Sequence, residues 1–296
     1  MSGALFKILF QSISVNMNAN ISFNINTVYL VTSSRPGEEG VTRRLVESIS
    51  DVSNNGGGFN FSHARVISGE GYFQLLEEIF YEIDNGLRPI IHFDMHGSQK
   101  HGLEIGKTGE FIDWESVIDS LRILNIKLNN ELVVLITACH GLHAILPISF
   151  EKVAPFLCLI APEKEIKVGH IEDRIPGFYQ ELFSSGSLAH ACQKLGNEFN
   201  YFHSAEFLFK TLTRYIKEKC KGAGGQKRRE DLLTEIMETQ QGEEPGRISE
   251  YRTKIKQHIA PNQELLDRYT ARFLMGKASG IKIDELLIEI EKSYLK

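Results

Sequence analysis

Short runs of consecutive apolar residues alternate along the chain with segments in which apolar residues recur every three or four positions. Such runs are typical of strands buried on both faces, and the longer period is typical of amphipathic helices. The predicted strands are "TVYLV", "HARVISG", "RPIIHFDM", "ELVVLITACHG" and "PFLCLIAP". The predicted helices between them are "VTRRLVESISDV", "YFQLLEEIFYEID" and "DWESVIDSLRIL", the last with Asp113 as its N-cap. This alternation predicts an α/β fold with a mostly parallel sheet flanked by helices.

The two ends of the chain follow other patterns. Residues 13–26 alternate apolar and polar side chains, which predicts either an edge strand or a strand that pairs with a partner chain. From Ile175 onward the pattern is helical, and the Gly-rich, basic stretch "CKGAGGQKRRED" predicts an exposed connection. The expected organisation is an extension over residues 1–26, a main domain over 27–219 and a helical C-terminal extension over 220–296.

Composition and charge narrow the classes of function. The chain has 296 residues with 42% hydrophobic residues and a formal net charge of −5. This mild acidity gives no reason to expect a nucleic-acid surface. The four cysteines are widely spaced without a CxxC pair, which fits a reduced cytoplasmic setting. No apolar run is long enough for a transmembrane helix, and the N-terminus, interrupted by Lys7, lacks the pattern of a signal peptide.

Two predicted strands end in residues that can carry cysteine catalysis. One ends in His96-Gly97 and the next ends in Cys139-His140-Gly141. In parallel sheets the carboxyl ends of adjacent strands lie together, so a thiol and an imidazole placed there can meet. Imidazole can take the thiol proton and later pass it to the leaving group. We therefore expect Cys139 as the nucleophile, His96 as the base, and the N–H groups of Gly97 and Cys139 as an oxyanion hole.

The two strand ends resemble the caspase-like cysteine peptidases. "IIHFDMHGS" and "VVLITACHG" are similar to the two hallmark strands of the family, and most similar to those of its bacterial CHAT branch. The resemblance covers residues 27–202, with Thr137 where caspases carry Gln. It implies a caspase-like sheet and an endopeptidase that acts on a protein or peptide without a metal or cofactor. It also implies a regulated effector of bacterial, including antiviral, defence, switched on by a partner protein or by self-association.

The resemblance also suggests where a substrate side chain would bind. Caspases have an arginine in the loop after the first strand, and Arg35 stands at a comparable place. A guanidinium binds a carboxylate through two parallel hydrogen bonds, which favours an acidic or polar residue before the scissile bond. Thr137 and Asp94 are further candidates for substrate binding. Asp94 together with Glu38 and Glu39 would instead favour a basic residue, and the sequence leaves this choice open.

Two other functions remain open at this stage. A catalytically silent scaffold could keep the same fold, although both Cys139 and His96 are present. A zinc-dependent hydrolase could use the histidines near the strand ends, but no His-x-Glu or His-Glu-x-x-His spacing supports it, and no metal site is predicted. His92, deeper in its strand, is expected in the core with a backbone partner.

Overall fold

The computed structural model describes residues 24–239, 247–277 and 282–294. They divide into two compact units, one ending at Ser204 and the other comprising the described residues from Ala205 onward. The alternating segment predicted for residues 13–26 lies almost entirely outside the described residues. No helix in the described part of the chain is both long and apolar enough to cross a membrane.

The first unit is built on an eight-stranded mixed sheet, which confirms the predicted α/β fold. The strands are β1 Thr27–Ser33, β2 Asn60–Arg65, β3 Pro89–Ser98, β4 Gly102–Ile105, β5 Glu110–Ile112, β6 Val133–Ile136, β7 Cys158–Pro162 and β8 Phe199–His203. The main path of the sheet runs β2-β1-β3-β6-β7-β8, with parallel pairing from β2 to β7 and β8 antiparallel at the edge.

Helices cover both faces of the sheet. They are α1 Glu39–Asn54, α2 Gly69–Glu82, α3 Trp114–Lys127, α4 Val168–Ser185 and α5 Leu188–Leu195. On one face α1 packs against α4, and their apolar side chains share a core cluster with Val28, Ile90 and Leu135 of the strands. On the other face the Tyr72 ring of α2 lies 5.8 Å from the Phe93 ring of β3. Burying each such side chain stabilises the fold by about 1.5–3 kcal/mol.

The cap predicted for the third helix is confirmed. The side chain of Asp113 accepts a hydrogen bond from the Ser116 N–H at 2.9 Å, which satisfies one of the free donors of the first turn. The carboxylate is therefore stabilised in its charged form, and the pKa of Asp113 lies below its ordinary value. Capping of this kind contributes about 1 kcal/mol.

Three strands were missing from the sequence prediction. The short strands β4 and β5 form an antiparallel hairpin on the end of β3, where Gly97 lies opposite Leu103. β8 was assigned to a helical region, but it pairs antiparallel with β7. These strands have three to five residues each, too few to establish a period of two. Tertiary pairing decides their conformation.

The second unit contains the remaining helices and corrects one expectation. Its described helices are α6 Ser204–Tyr215, α7 Gly222–Thr239, α8 Ile248–His258, α9 Gln263–Phe273 and α10 Ile283–Tyr294, where α6 starts on the last residue of the first unit. The stretch predicted as an exposed connection forms the first half of α7. Lys, Arg and Glu favour helix, and Leu233 of this helix packs on Ile255 and Ile259, which outweighs the glycines.

Candidate active site

A cleft of about 170 Å³ lies at the carboxyl ends of β1, β3 and β6. In the sheet order β2 and β3 lie on opposite sides of β1, so the chain reverses direction across the sheet here, and such reversal points are where open α/β sheets bind ligands. The described residues that line the cleft are Ser33, Ser34, Glu38, Val41, Thr42, Asp94, Met95, His96, Thr137, Cys139, Ile166, Val168 and Ile171.

The register of β3 and β6 leads towards His96 and Cys139, of which Cys139 lies beyond the end of β6. Ile90 lies beside Val133 and Phe93 beside Ile136 in the parallel pair β3 and β6. Each of these pairs is 43 positions apart in the sequence, and so are Asp94 and Thr137, whose side chains are hydrogen-bonded at 2.9 Å. Cys139 likewise follows His96 by 43 positions. The structure therefore places both predicted catalytic residues along one cleft, on neighbouring chain segments.

Gly97 allows the two chain segments to stay close beyond the end of β6. A Cβ atom at Gly97 would clash with the Cys139 carbonyl oxygen and would lie 3.0 Å from the Cβ of Ala138. The φ angle of Gly97 is not positive, so close approach rather than backbone conformation requires glycine here. Since β3 and Cys139 touch at this point, any larger residue would separate the base from the nucleophile.

Cys139 is followed by a tight turn. His140 adopts a left-handed conformation with φ 60°, and a Cβ atom at Gly141 would lie 2.6 Å from Cγ2 of Ile136. The His140 N–H donates to the Lys164 carbonyl at 3.1 Å, which holds this unusual conformation. Among the described residues no acceptor bonds the Cys139 N–H. The turn therefore presents the thiol at the cleft and keeps one amide available for a developing negative charge.

The Cys139 sulfur also has a donor in the loop after β7. The Ile166 N–H lies 3.4 Å from Sγ, and Sγ lies 3.9 Å from the Ile166 carbonyl oxygen. A thiolate accepts the N–H contact, whereas a neutral thiol can donate to the carbonyl. The same residue thus accommodates both protonation states of Cys139.

His96 is held by a carboxylate that sequence reasoning did not assign to it. Its Nε2 lies 2.7 Å from Oε2 of Glu38, and the Arg35 N–H donates to the same Oε2 at 3.3 Å. The contact with His96 lowers the pKa of Glu38, so Glu38 is charged at neutral pH. A carboxylate on Nε2 favours the tautomer with the proton on that nitrogen, which leaves the Nδ1 lone pair to accept a proton.

His92 is buried in the core as expected, but its partners are side chains rather than the backbone. Its Nδ1 lies 3.0 Å from the Tyr179 hydroxyl and its Nε2 lies 3.1 Å from Oγ1 of Thr137. Burial lowers the pKa of His92 to about 3, so the ring is neutral. The expected backbone partner is wrong because α4 brings a hydroxyl to one nitrogen and Thr137, directly after β6, brings another to the second.

Asp94 lies between His92 and His96 on the same face of β3. Its Oδ1 accepts from the Thr137 hydroxyl at 2.9 Å, and no other described residue hydrogen-bonds the carboxylate. Burial is the main reason that the pKa of Asp94 is raised, with the negative charge of Glu172 acting in the same direction. Asp94 and Thr137 both line the cleft, and their role in substrate binding stays a prediction.

Arg35 has a different environment. Its Nε and Nη2 donate to the two carboxylate oxygens of Glu104 at 2.7 and 2.6 Å. The two guanidinium N–H groups that were expected to bind a substrate carboxylate are therefore already bound to Glu104. Arg35 is absent from the described residues that line the cleft. The pair instead ties the loop after β1 to strand β4.

Two of the histidines considered for zinc are neighbours, since the ring centroids of His140 and His143 lie 5.7 Å apart. His101 packs on Phe111, with ring centroids 5.5 Å apart, and His140 bonds the Glu163 carbonyl at 3.2 Å. His143 is buried, and desolvation lowers its pKa. Over residues 24–239, 247–277 and 282–294, no group of three His, Cys, Asp or Glu side chains is arranged to hold a metal ion.

Sequence reasoning missed Glu38 as the partner of His96 and Tyr179 as the partner of His92. Glu38 was considered only as part of a pocket for a basic substrate residue, and its contact with His96 spans 58 positions. Tyr179 lies 87 positions from His92 on helix α4. The available signal was the position of Glu38 after the carboxyl end of β1, beside the strand that carries His96. No protein-family model matches this chain, and no curated protein is found to be similar to it.

Proposed function

We propose that the chain is a cysteine endopeptidase in which Cys139 is the nucleophile and His96 is the general acid and base. The observation that carries the proposal is that both residues line one cleft at the carboxyl ends of adjacent strands, where Oε2 of Glu38 lies 2.7 Å from Nε2 of His96. A pocket with convergent titratable groups of complementary roles is the arrangement that nucleophilic catalysis requires. A role as a regulated effector of bacterial defence rests on the resemblance to CHAT peptidases alone.

The first half of the reaction forms an acyl-enzyme. Glu38 holds the Nε2 proton of His96, so Nδ1 takes the proton of the Cys139 thiol. The thiolate attacks the peptide carbonyl carbon, a C–S bond forms, and the carbonyl oxygen becomes an oxyanion. The Cys139 N–H, with Gly97 as the second predicted donor, stabilises that charge. The intermediate then collapses, the C–N bond breaks, and His96 gives its proton to the departing amine.

The second half returns the enzyme to its starting state. A water molecule replaces the amine, His96 removes one of its protons, and the oxygen attacks the thioester carbon. Collapse of this second intermediate breaks the C–S bond and releases the carboxyl product. The Ile166 N–H, 3.4 Å from Sγ, supports the departing thiolate until His96 returns the proton.

The proposal is tested by digestion of a proteome-derived peptide library and mass spectrometry of the new termini. Wild-type protein is compared with Cys139→Ala and with Cys220→Ala, which removes a free thiol of the second unit. We expect new termini from the wild type and from Cys220→Ala, and none from Cys139→Ala. Cleavage by Cys139→Ala at the wild-type level would overturn the assignment. A chain that cleaves nothing and whose Cys139 reacts no faster than a free thiol would be a silent scaffold.

A further inference from the structure

We propose that Asp94 forms a subsite for a positively charged substrate side chain, so that the peptidase cleaves after Lys or Arg. The inference rests on the proposed function, because it names the substrate class of the same cleft. Glu38 and Asp94 are the carboxylates of the cleft, and no Lys or Arg is found among the described residues that line it. Since Glu38 is engaged by His96, Asp94 is the carboxylate available to a ligand.

Buried hydrogen bonds orient the Asp94 carboxyl group. Both nitrogens of His92 have hydroxyl partners, Tyr179 at 3.0 Å and Thr137 at 3.1 Å. The Thr137 hydroxyl has two acceptors for its one hydrogen, Oδ1 of Asp94 at 2.9 Å and the Phe93 carbonyl oxygen at 3.1 Å. The bond to Asp94 holds Oδ1 towards Thr137 and leaves Oδ2 for the cleft.

The second oxygen of Asp94 has no partner among the described residues. Thr137 occupies Oδ1, while Oδ2 is neither bonded nor sealed in the core. A half-buried carboxylate without a cation is costly, and the raised pKa of Asp94 reflects that cost. A substrate ammonium or guanidinium at Oδ2 would provide the missing charge as a charge-assisted hydrogen bond.

The cleft also suits the uncharged part of such a side chain. Apolar side chains of Val41, Met95, Val168 and Ile171 form part of its lining. Lys and Arg bury their aliphatic stems against apolar surfaces while the charged group reaches a polar partner. A short acidic side chain would fit neither the apolar walls nor the carboxylate.

The position of Asp94 relative to the catalytic pair assigns the subsite to the residue before the cut. Asp94 precedes His96 by two residues, and Thr137 precedes Cys139 by two. Two residues of strand span about 6.6 Å, so the Asp94 carboxylate lies about that far from the reacting atoms along the strand direction. A side chain on the residue that supplies the reacting carbonyl must reach over that distance, which favours the long side chains of Lys and Arg.

This inference reverses the preference for an acidic residue that Arg35 suggested. The guanidinium of Arg35 is bound to both oxygens of Glu104, at 2.7 and 2.6 Å. Breaking that pair to bind a substrate carboxylate would leave Glu104, which is buried, without its cation. Asp94 needs no such rearrangement.

The first experiment measures kcat/KM for fluorogenic peptides that differ only in the residue before the cut: Arg, Lys, citrulline, norleucine or Glu. Citrulline has the shape of Arg without its charge. A charge-assisted hydrogen bond predicts at least about a tenfold preference for Arg over citrulline in the wild type. We expect Asp94→Asn to bring this ratio close to one and Asp173→Asn, an exposed carboxylate with the same charge change, to keep it. A wild-type preference for Glu or norleucine would overturn the inference.

The second experiment does not require peptide cleavage. The rate of Cys139 alkylation by iodoacetamide is measured with and without benzamidine, a small cation. We expect benzamidine to slow alkylation of the wild type and of Asp173→Asn, but not of Asp94→Asn. Equal alkylation rates with and without benzamidine in the wild type would contradict the cation subsite. Protection without cleavage of any peptide would refute the peptidase proposal and keep the subsite.

Discussion

Two histidines on the same face of β3, four residues apart, have opposite environments. His92 is fully buried, its two nitrogens are bound by hydroxyl groups, and its pKa is lowered to about 3. The side chain of His96 is 38% exposed, and its Nε2 is bound by the charged carboxylate of Glu38. One residue type thus forms a neutral structural link at one site and a candidate proton acceptor at the other.

Hydrogen-bond partner and burial, more than position in a motif, decide whether each histidine can take part in proton transfer. Hydroxyl groups around a buried ring cannot compensate a positive charge, so His92 stays neutral. A carboxylate beside a partly exposed ring can compensate it, so His96 can accept a proton and release it again. Asp94 lies between the two histidines. Its carboxyl group is bonded by Thr137 on one side and lines the cleft on the other.

The largest effect should come from the exposed histidine. We expect His96→Ala to lower kcat by about 10⁴-fold, since it removes the proton acceptor and donor of both half-reactions. Because His96 and Cys139 act as one unit, the double variant His96→Ala/Cys139→Ala should be hardly less active than either single variant. Steady-state kinetics on the cleaved peptide measure both. A His96→Ala protein within tenfold of wild type would show that this histidine is not the base.

The buried histidine should instead control stability against acid. The pKa of His92 falls from 6.5 in the unfolded chain to about 3 in the fold, so unfolding takes up a proton between these values. This contribution is fully present above pH 6.5 and is lost as the pH falls towards 3. At about 1.4 kcal/mol per pKa unit it amounts to on the order of 5 kcal/mol.

His92→Gln removes that titration while keeping one donor and one acceptor. We expect its free energy of unfolding to fall less steeply than that of the wild type between pH 6.5 and 4, as measured by urea denaturation. His101→Gln, an exposed histidine of the same segment, should retain the wild-type slope. Identical slopes for wild type and His92→Gln would show that His92 does not remain neutral.

Gly97→Ala should separate the two halves of the candidate site. The added Cβ would clash with the Cys139 carbonyl, so β3 and the cysteine turn must move apart. A displacement of about 1 Å between reacting groups costs on the order of 100-fold in rate, which is the loss of kcat/KM that we expect. Gly177→Ala is the matched control, because its Cβ would meet no atom within 4 Å. Equal activity of the two variants would contradict the close approach.

The smallest effect should come from Glu38→Gln. Its amide can donate to Nε2 and so select the wrong tautomer of His96, which should lower kcat by about 10- to 100-fold and leave KM unchanged. His96 lowers the pKa of Glu38, so the wild-type advantage should be full above about pH 4.5 and disappear as the pH falls through that lowered pKa. Glu39→Gln, the exposed neighbour, should behave as wild type. A loss confined to KM would mean that Glu38 binds substrate instead of positioning His96.

The sequence was sufficient for the parts of the fold and site that depend on local pattern. Continuous apolar runs identified the parallel strands, and the residues following two of them identified His96 and Cys139 as neighbours. The contacts of Glu38 with His96 and of Tyr179 with His92 were not predicted, because they are set by how loops and helices return to the sheet. The first half of α7 was wrongly assigned for a related reason, since the helix is anchored by Leu233, further along it, which packs on Ile255 and Ile259 from a later part of the chain.

The most direct test of the account is the reaction of the protein with a peptidyl acyloxymethyl ketone, followed by mapping of the modified cysteine. We expect modification at Cys139 and not at Cys158, Cys192 or Cys220, with a rate at least about 100-fold lower in His96→Ala. We also expect that replacing Glu38 in the His96→Ala protein leaves its slow reaction rate unchanged. Modification of another cysteine, or equal rates in wild type and His96→Ala, would contradict the claim that β3 and β6 assemble a cysteine nucleophile with its base.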